Sequence, residues 1–530
     1  MFSCKYHYLC KKSDIMRKSI LTILVSLLSL SSMVAQPLPT SLIPSEPSKA
    51  PDYFCTWNIQ GFCVSYEGDT RNMMTEQNIF GKGEWQDWAS FFPRIREDVL
   101  FLLDDSWDMP LQYKPVIDQY YGLVSLDTER FPSFQGYEVK RIADLAARIK
   151  SYGWKGLAGW VCAQESPLDP YHEQEREYWR RQMTVAHAAG MDYLKVDYGR
   201  RQTDVNWRKM LTEVAHEISP DLYIEHASPK GPTVTDTPEL DASLARVSDV
   251  FRTYDVETFM AIPVTLKRVL QVLGQRPEDG CQGLVNCEDE PYMAAGLGCL
   301  IGIMRHPYAG SLPNGKSDHV FPATCRDVKH RLDEVVRAVR WHRLAEPFGM
   351  DDDLHVDSVM LHDSWLLGER ETWYDPHKPG TTCREEAPAR VSRRMPLPTV
   401  QAKGAVPYVL ASRYPSGAVA VAALERLDGR RWFQPRAKVG IQATDVEAPL
   451  GVFGYYDQLT ISYPAPIDKS GLHVMAQDLA GNEAVDITRE VTIHGHRLVI
   501  PGRTIQRIGL QASTPGDKSA PGLVVKMLLQ

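Results

Sequence analysis

Apolar and polar positions along this chain fall into two regimes. In the first, residues 51–348, short apolar runs of strand length alternate with longer segments whose apolar residues recur at helical spacing. Strands are predicted at Phe54–Trp57, Val99–Leu103, Gly156–Val161, Tyr193–Val196, Leu222–Ile224, Val250–Thr253, Gly283–Val285 and Cys299–Met304. Helices are predicted at Val139–Tyr152, Gln174–Ala189, Trp207–Glu217, Ala261–Leu273 and Asp327–Arg343. In the first helix Ile142, Leu145, Ala146 and Ile149 share one face. Eight strands with helical crossovers predict an α/β fold, a (β/α)8 TIM barrel. A doubly wound open sheet also alternates, but the count of eight favours closure.

Past residue 349 the period changes to two. The runs Gly417–Ala422, Leu472–Ala476 and Arg497–Ile500 alternate as strands do, with Gly, Pro, Asp and Asn between them. An antiparallel β-sandwich is predicted over 349–530. Residues 375–405 are polar and proline-rich, and read as a long loop or a connection between sheet halves. At the other end, Met16-Arg17-Lys18 and the apolar run Ile20–Leu30, followed by small residues to Ala35, have the order of a secretory signal peptide. Residues 1–35 are therefore expected to be a signal with an upstream extension ahead of Met16, a retained membrane anchor being the alternative. Residues 36–50, rich in Pro and Ser, read as a linker. The expected location is periplasmic or secreted, off the membrane once the signal is removed.

Composition narrows the chemistry. A net charge of -8 gives no electrostatic reason to expect nucleic acid as a partner. The cysteines form no repeated CxxC pairs, so no metal site is expected, and no organic cofactor is implied. Cys281 and Cys287 are spaced for a local disulfide, with buried free thiols as the alternative. The acidic run Glu288-Asp289-Glu290 lacks EF-hand spacing and reads as a solvated loop, and His226, His306 and His319 read as structural or exposed.

In a barrel of this kind the chemistry sits at the C-terminal ends of the strands. Those ends carry Trp57-Asn58, Asp104-Asp105-Ser106-Trp107, Trp160 and Cys162, Lys195 with Asp197, Glu225-His226, and Arg252 with Asp255, and the seventh leads into Asn286, Glu288 and Asp289. Alternation puts Tyr193, Lys195 and Asp197 on one face of the fourth strand and Leu194 and Val196 on the other. A carboxylate beside an ammonium suits a nucleophile, with a buried structural ion pair as the bland reading. For Asp255 the bland reading is a helix N-cap, and the functional one a general acid and base. Asp104 and Asp105 suit sugar hydroxyls, and Trp57 and Trp107 offer flat apolar faces to a sugar ring, although a lone Trp is more often core.

The ordered series resembles the α-galactosidase group of glycoside hydrolases, families 27 and 36 (the melibiase group), over residues 51–345. Asp104-Asp105-Ser106-Trp107 is similar to that group's Asp-Asp-x-Trp segment, Tyr193-Leu194-Lys195-Val196-Asp197 to its Tyr-Leu-Lys-x-Asp, and Phe251-Arg252-Thr253-Tyr254-Asp255 to its Trp-Arg-x-x-x-Asp. Trp57-Asn58 and Phe131-Pro132 echo its Trp-Asn and Phe-Pro. The chain departs at Arg252, one residue nearer its Asp, at Tyr198-Gly199 in place of Asn-Cys, and at Asn286-Cys287-Glu288-Asp289 in place of Asn-Asp-Pro-Asp.

The resemblance implies a retaining exo-glycosidase acting on terminal α-galactosyl residues of oligo- or polysaccharides. Asp197 would be the nucleophile and Asp255 the acid/base, with Trp57, Asp104, Asp105, Trp107, Trp160, Lys195, Glu225 and Arg252 around the substrate. The alternatives are a β-L-arabinopyranosidase or related glycosidase, transglycosylation by the same residues, and a non-catalytic glycan-binding protein. The β-region is expected to support the barrel.

Overall fold

The computed structural model describes residues 38–111, 122–167, 171, 174–229, 238–253, 261–308, 311–316, 328–368 and 378–529. Residues Thr40–Leu528 form one compact unit, and the described residues Leu38, Pro39 and Leu529 belong to a second. The expected signal segment, His319 and Asp255 lie outside the described residues.

Eight parallel strands make the first sheet: β1 (Tyr53–Cys55), β2 (Leu100–Leu103), β3 (Gly156–Val161), β4 (Tyr193–Val196), β5 (Tyr223–Ala227), β6 (Val250–Arg252), β7 (Leu284–Asn286) and β8 (Gly302–Ile303). Each of β1 to β6 pairs with the next in order, and β1 also pairs with β8. The ring closes between β7 and the approach to β8 by a parallel bridge, Asn286 to Leu300. Leu300 N donates to Val285 O at 2.8 Å there. The sheet is a closed (β/α)8 barrel.

Helical periodicity translates directly into burial. In the helix Glu138–Ser151, Ile142, Leu145, Ala146 and Ile149 are all buried. Asp204 caps the helix Val205–Ile218 by accepting from Trp207 N. Inside the ring, Tyr53, Cys55, Leu102, Ala158, Trp160, Tyr193, Val250 and Leu300 pack together. Glu225 is buried near them and accepts from Tyr53 Oη (2.9 Å), Tyr193 Oη (2.8 Å) and Asn286 Nδ2 (2.8 Å). Gly302 admits this knot, because a Cβ there would come within 2.8 Å of Tyr53 and Asn286.

Two further sheets face each other beyond the barrel. One has eight strands and includes Tyr408–Arg413, Val419–Leu424, Leu450–Gly454, Leu472–Asp478 and Gly522–Leu529. The other has five, including Lys438–Gln442, Gln458–Ser462 and Arg497–Pro501. Val409, Val421, Val452, Val474 and Val525 from the first meet Val439, Leu459, Ile461, Leu498 and Ile500 from the second in one apolar core. This is a sandwich, but its sheets are mixed rather than purely antiparallel. Arg390–Arg393 with Tyr408–Arg413, Val419–Leu424 with Leu450–Gly454, and Lys438–Gln442 with Gln458–Ser462 run parallel. The cause is common to all three. Between the two partners the chain adds one strand to the opposite sheet and returns in the original direction, in the second case after the hairpin Arg426–Asp428 with Arg431–Phe433.

The polar stretch 375–405, read as a long loop or a connection between sheet halves, is not a plain loop. It holds the strands Thr382–Pro388, Arg390–Arg393 and Thr399–Gln401. The first pairs with Met360–Leu366 in a two-stranded ribbon. The stretch read as a linker has Leu42, Ile43, Ser48 and Ala50 buried, with Leu42 N donating to Gln477 Oε1 at 2.6 Å. Barrel and sandwich share the helices Pro291–Leu297 and Leu332–Trp341: Tyr292 Oη donates to Ala520 O, and Arg337 pairs with Asp478 through two nitrogens at 2.9 and 3.0 Å.

Candidate active site

Strand β4 aims Tyr193 and Lys195 into the barrel, and Asp197 follows one residue past its end. The backbone of this segment is held from behind. Arg208, fully buried on the helix Val205–Ile218, donates to Val196 O at 2.7 Å and to Asp197 O at 3.0 Å. Burial lowers the Arg208 guanidinium to about 10. Gly199 permits the turn that follows, since a Cβ there would meet the Ala163 backbone at 2.8 Å and the residue has φ +151.

Two charged side chains converge on the Asp197 carboxylate. Arg252 Nη2 donates to Asp197 Oδ2 at 2.7 Å, and Lys195 Nζ lies 4.0 Å from the same oxygen. Lys195 is held in turn by Asp104 Oδ2 at 2.7 Å. Burial and Arg252 push the Lys195 ammonium down, but Asp104, Cys55 and Asp197 outweigh them and hold it above its ordinary value. Burial alone would raise the Asp104 carboxyl. Lys195 reverses that, with help from Cys55 Sγ, which donates at 3.0 Å, and from Asp105 N, and Asp104 ends below its ordinary value.

Exposure separates these groups. The Asp197 side chain is 19% exposed, against 4% for Asp104, 7% for Asp105, 2% for Lys195 and 3% for Arg252. Asp197 is therefore the carboxylate of this cluster that reaches solvent, and the others support it from beneath. Asp105 is raised by burial, opposed by Arg71, whose Nε donates to it at 2.9 Å, and by Ser106 Oγ at 2.7 Å. The Arg71 guanidinium also lies 5.9 Å from the centre of the Trp57 ring.

The structure thus brings Asp104, Asp105, Lys195, Asp197 and Arg252 together, with Trp57 at the edge. Trp57 opens a helix, Trp57–Cys63, rather than ending a strand. Trp107 and Glu225 have no exposed surface, and Trp160 is buried with them. Trp107 Nε1 donates to Trp160 O at 2.8 Å, which ties the two segments into the wall. Burial pushes the Glu225 carboxyl up, against Arg252, Lys195 and its hydrogen bonds to Asn286 and Tyr193. His226 is buried between Arg208 and Thr212, and burial holds it well below its ordinary value.

The acidic run after β7 is not the solvated loop that its sequence suggests. Glu288, Asp289 and Glu290 are all buried, not solvated. Glu288 Oε1 accepts from Arg252 Nη1 at 2.6 Å, and Asp289 Oδ2 from Arg305 Nε at 2.6 Å. The sequence puts Glu288 at the end of the seventh strand, but its role was missed because its cation is 36 residues away in the chain. Arg71 and Arg208 were missed too. Arg71 lies in a short helical turn, Thr70–Met73, with no strand signal near it. Cys281 and Cys287 are free thiols. Among the described residues, no group of His, Cys, Asp and Glu could hold a metal ion.

No family model matches the chain, and no curated protein does. Solved structures similar to it include α-galactosidase I from Mortierella vinacea, at 11% identity and a TM-score of 0.39, covering 91% of this chain and 97% of that one. They also include an α-galactosidase from Saccharomyces cerevisiae (10% identity, TM-score 0.36, 93% and 97% covered). A third is a GH27 β-L-arabinopyranosidase from Geobacillus stearothermophilus (11% identity, TM-score 0.37, 90% and 96% covered).

Proposed function

We propose that this chain is a retaining exo-glycosidase that hydrolyses terminal α-galactosyl residues through a covalent glycosyl-enzyme. The observation that carries the reading is the seat of Asp197: a solvent-reaching carboxylate at a strand end of the barrel, gripped by Arg252 and faced by Lys195, with every supporting charge buried. Retaining hydrolysis needs a fixed carboxylate below the anomeric carbon and a second carboxyl about 5–5.5 Å away. Asp197 attacks the anomeric carbon and Asp255 protonates the leaving oxygen, then activates water for the second displacement. Asp104 and Lys195 form a charged floor able to accept from and donate to sugar hydroxyls, and Trp57 offers its ring at the edge. The motif series in the sequence supplies the sugar class, and the buried charge pairs supply the rigidity that such positioning requires.

The test is Asp197→Ala. Turnover of a chromogenic α-galactoside should fall by several orders of magnitude, and external azide or formate should restore part of it. Normal turnover in the variant would end the assignment. A panel of α-galactoside, β-L-arabinopyranoside, α-N-acetylgalactosaminide and α-glucoside then fixes the sugar, and binding across the panel without hydrolysis would instead mean a glycan-binding protein.

A further inference from the structure

Arg252 spends its guanidinium in an unusual way. Nη2 reaches Asp197 Oδ2 (2.7 Å), Nη1 reaches Glu288 Oε1 (2.6 Å), and Nε faces Glu225 Oε1 at 3.8 Å. Each of these nitrogens thus faces a carboxylate, and the side chains of Arg252, Glu225 and Glu288 are between 0% and 3% exposed. Glu288 is itself fixed. It adopts a left-handed backbone, φ +47, which a residue with a Cβ rarely takes without cause. Its N–H donates to Asn286 Oδ1 at 2.7 Å, and Asn286 is part of the knot around Glu225. The constraint thus runs from the closure of the barrel through Asn286 and Glu288 to one arm of Arg252, and from the other arm to Asp197.

From this chain of contacts we infer that Glu288 is a positioning residue for the nucleophile, acting through Arg252, which orients Asp197. The inference rests on Asp197 being the nucleophile. Its physical content is charge balance as well as geometry. Facing Asp197 are Lys195 on β4, Arg252 on β6, Arg208 on the helix Val205–Ile218 and the thiol of Cys162 after β3, with Asp104 behind Lys195 and Glu225 and Glu288 behind Arg252. Glu288 partly neutralises Arg252. Without that charge, Arg252 would bind the attacking carboxylate more strongly and make it a poorer nucleophile.

Two substitutions therefore move the acidic limb of the kcat/KM profile in opposite directions. Glu288→Gln keeps the shape and an acceptor for Nη1 but removes a negative charge. Its acidic limb should move to lower pH by about half a unit to one unit, with kcat reduced about tenfold and KM nearly unchanged. Arg252→Met removes the cation and leaves Glu288 charged, so its limb should move to higher pH. Should Arg252→Met not fold, Arg252→Lys replaces it, with a smaller shift of the same sign. A loss of activity in Glu288→Gln with the limb unmoved, or a rise in KM with kcat intact, overturns the inference. Asp197→Ala run alongside separates the two levels: normal turnover there would remove the nucleophile itself, whereas an inactive Asp197→Ala beside an unshifted Glu288→Gln removes only the positioning role.

Discussion

Lys195 Nζ sits 2.7 Å from Asp104 Oδ2, and both side chains are almost wholly buried. A buried pair of this kind punishes removal of one partner more than removal of both, because the survivor keeps its charge without a counterion. Lys195→Met should cost about 3–5 kcal/mol of stability. The double variant with Asp104→Asn should recover part of that loss, and urea unfolding of the two singles and the double checks it.

A second pair couples barrel and sandwich. Arg337, on the helix Leu332–Trp341, grips both oxygens of Asp478 on the strand Leu472–Asp478, and both residues are buried. Asp478→Ala should lower stability by about 3–5 kcal/mol. KM should stay at the wild-type value, because the pair lies in the barrel–sandwich contact. Thermal unfolding and steady-state kinetics on the same preparation separate the two effects.

On the outer face of the barrel, His216 Nε2 lies 2.9 Å from Asp249 Oδ1, which raises the histidine against the opposing effect of burial. A raised folded-state value means stabilisation present in full below the ordinary histidine range and lost as pH climbs through the raised value. The stability gap between the wild type and His216→Gln should therefore be wide near pH 5.5 and narrow near pH 8.5. A gap that widens with rising pH would contradict this account.

Gly302 leaves no room for a methyl group beside Tyr53 and Asn286. Gly302→Ala should push both away from Glu225, at a cost of about 1–3 kcal/mol. Activity should fall as well, because Asn286 also receives the Glu288 N–H. Kinetics and unfolding midpoints measured together would show both losses.

How much of this was readable in advance depended on the kind of signal. The apolar faces of strands and helices were legible: Gly156–Val161, Tyr193–Val196 and Ala261–Leu273 begin and end where the pattern puts them. The helix Pro291–Leu297 was not, because every one of its residues is buried and it shows no polar face to mark a period. Alternation marked strands in the sandwich but carries no direction, so the parallel pairs made by crossing between sheets were invisible. The ribbon strand Thr382–Pro388 was hidden by its polarity, since most of its side chains stay at least partly exposed. In the site, the Lys195–Asp197 alternation was readable within one strand. The clamp from Glu288 through Arg252 was not, because charge alone does not tell a solvated acidic run from one that meets a buried guanidinium.

The most direct measurement is to trap the glycosyl-enzyme. A 2-deoxy-2-fluoro galactosyl donor with a good leaving group should inactivate the protein and add one sugar mass to the peptide that contains Asp197. Hydrolysis that proceeds with inversion, or an adduct on a different carboxylate, would contradict the account.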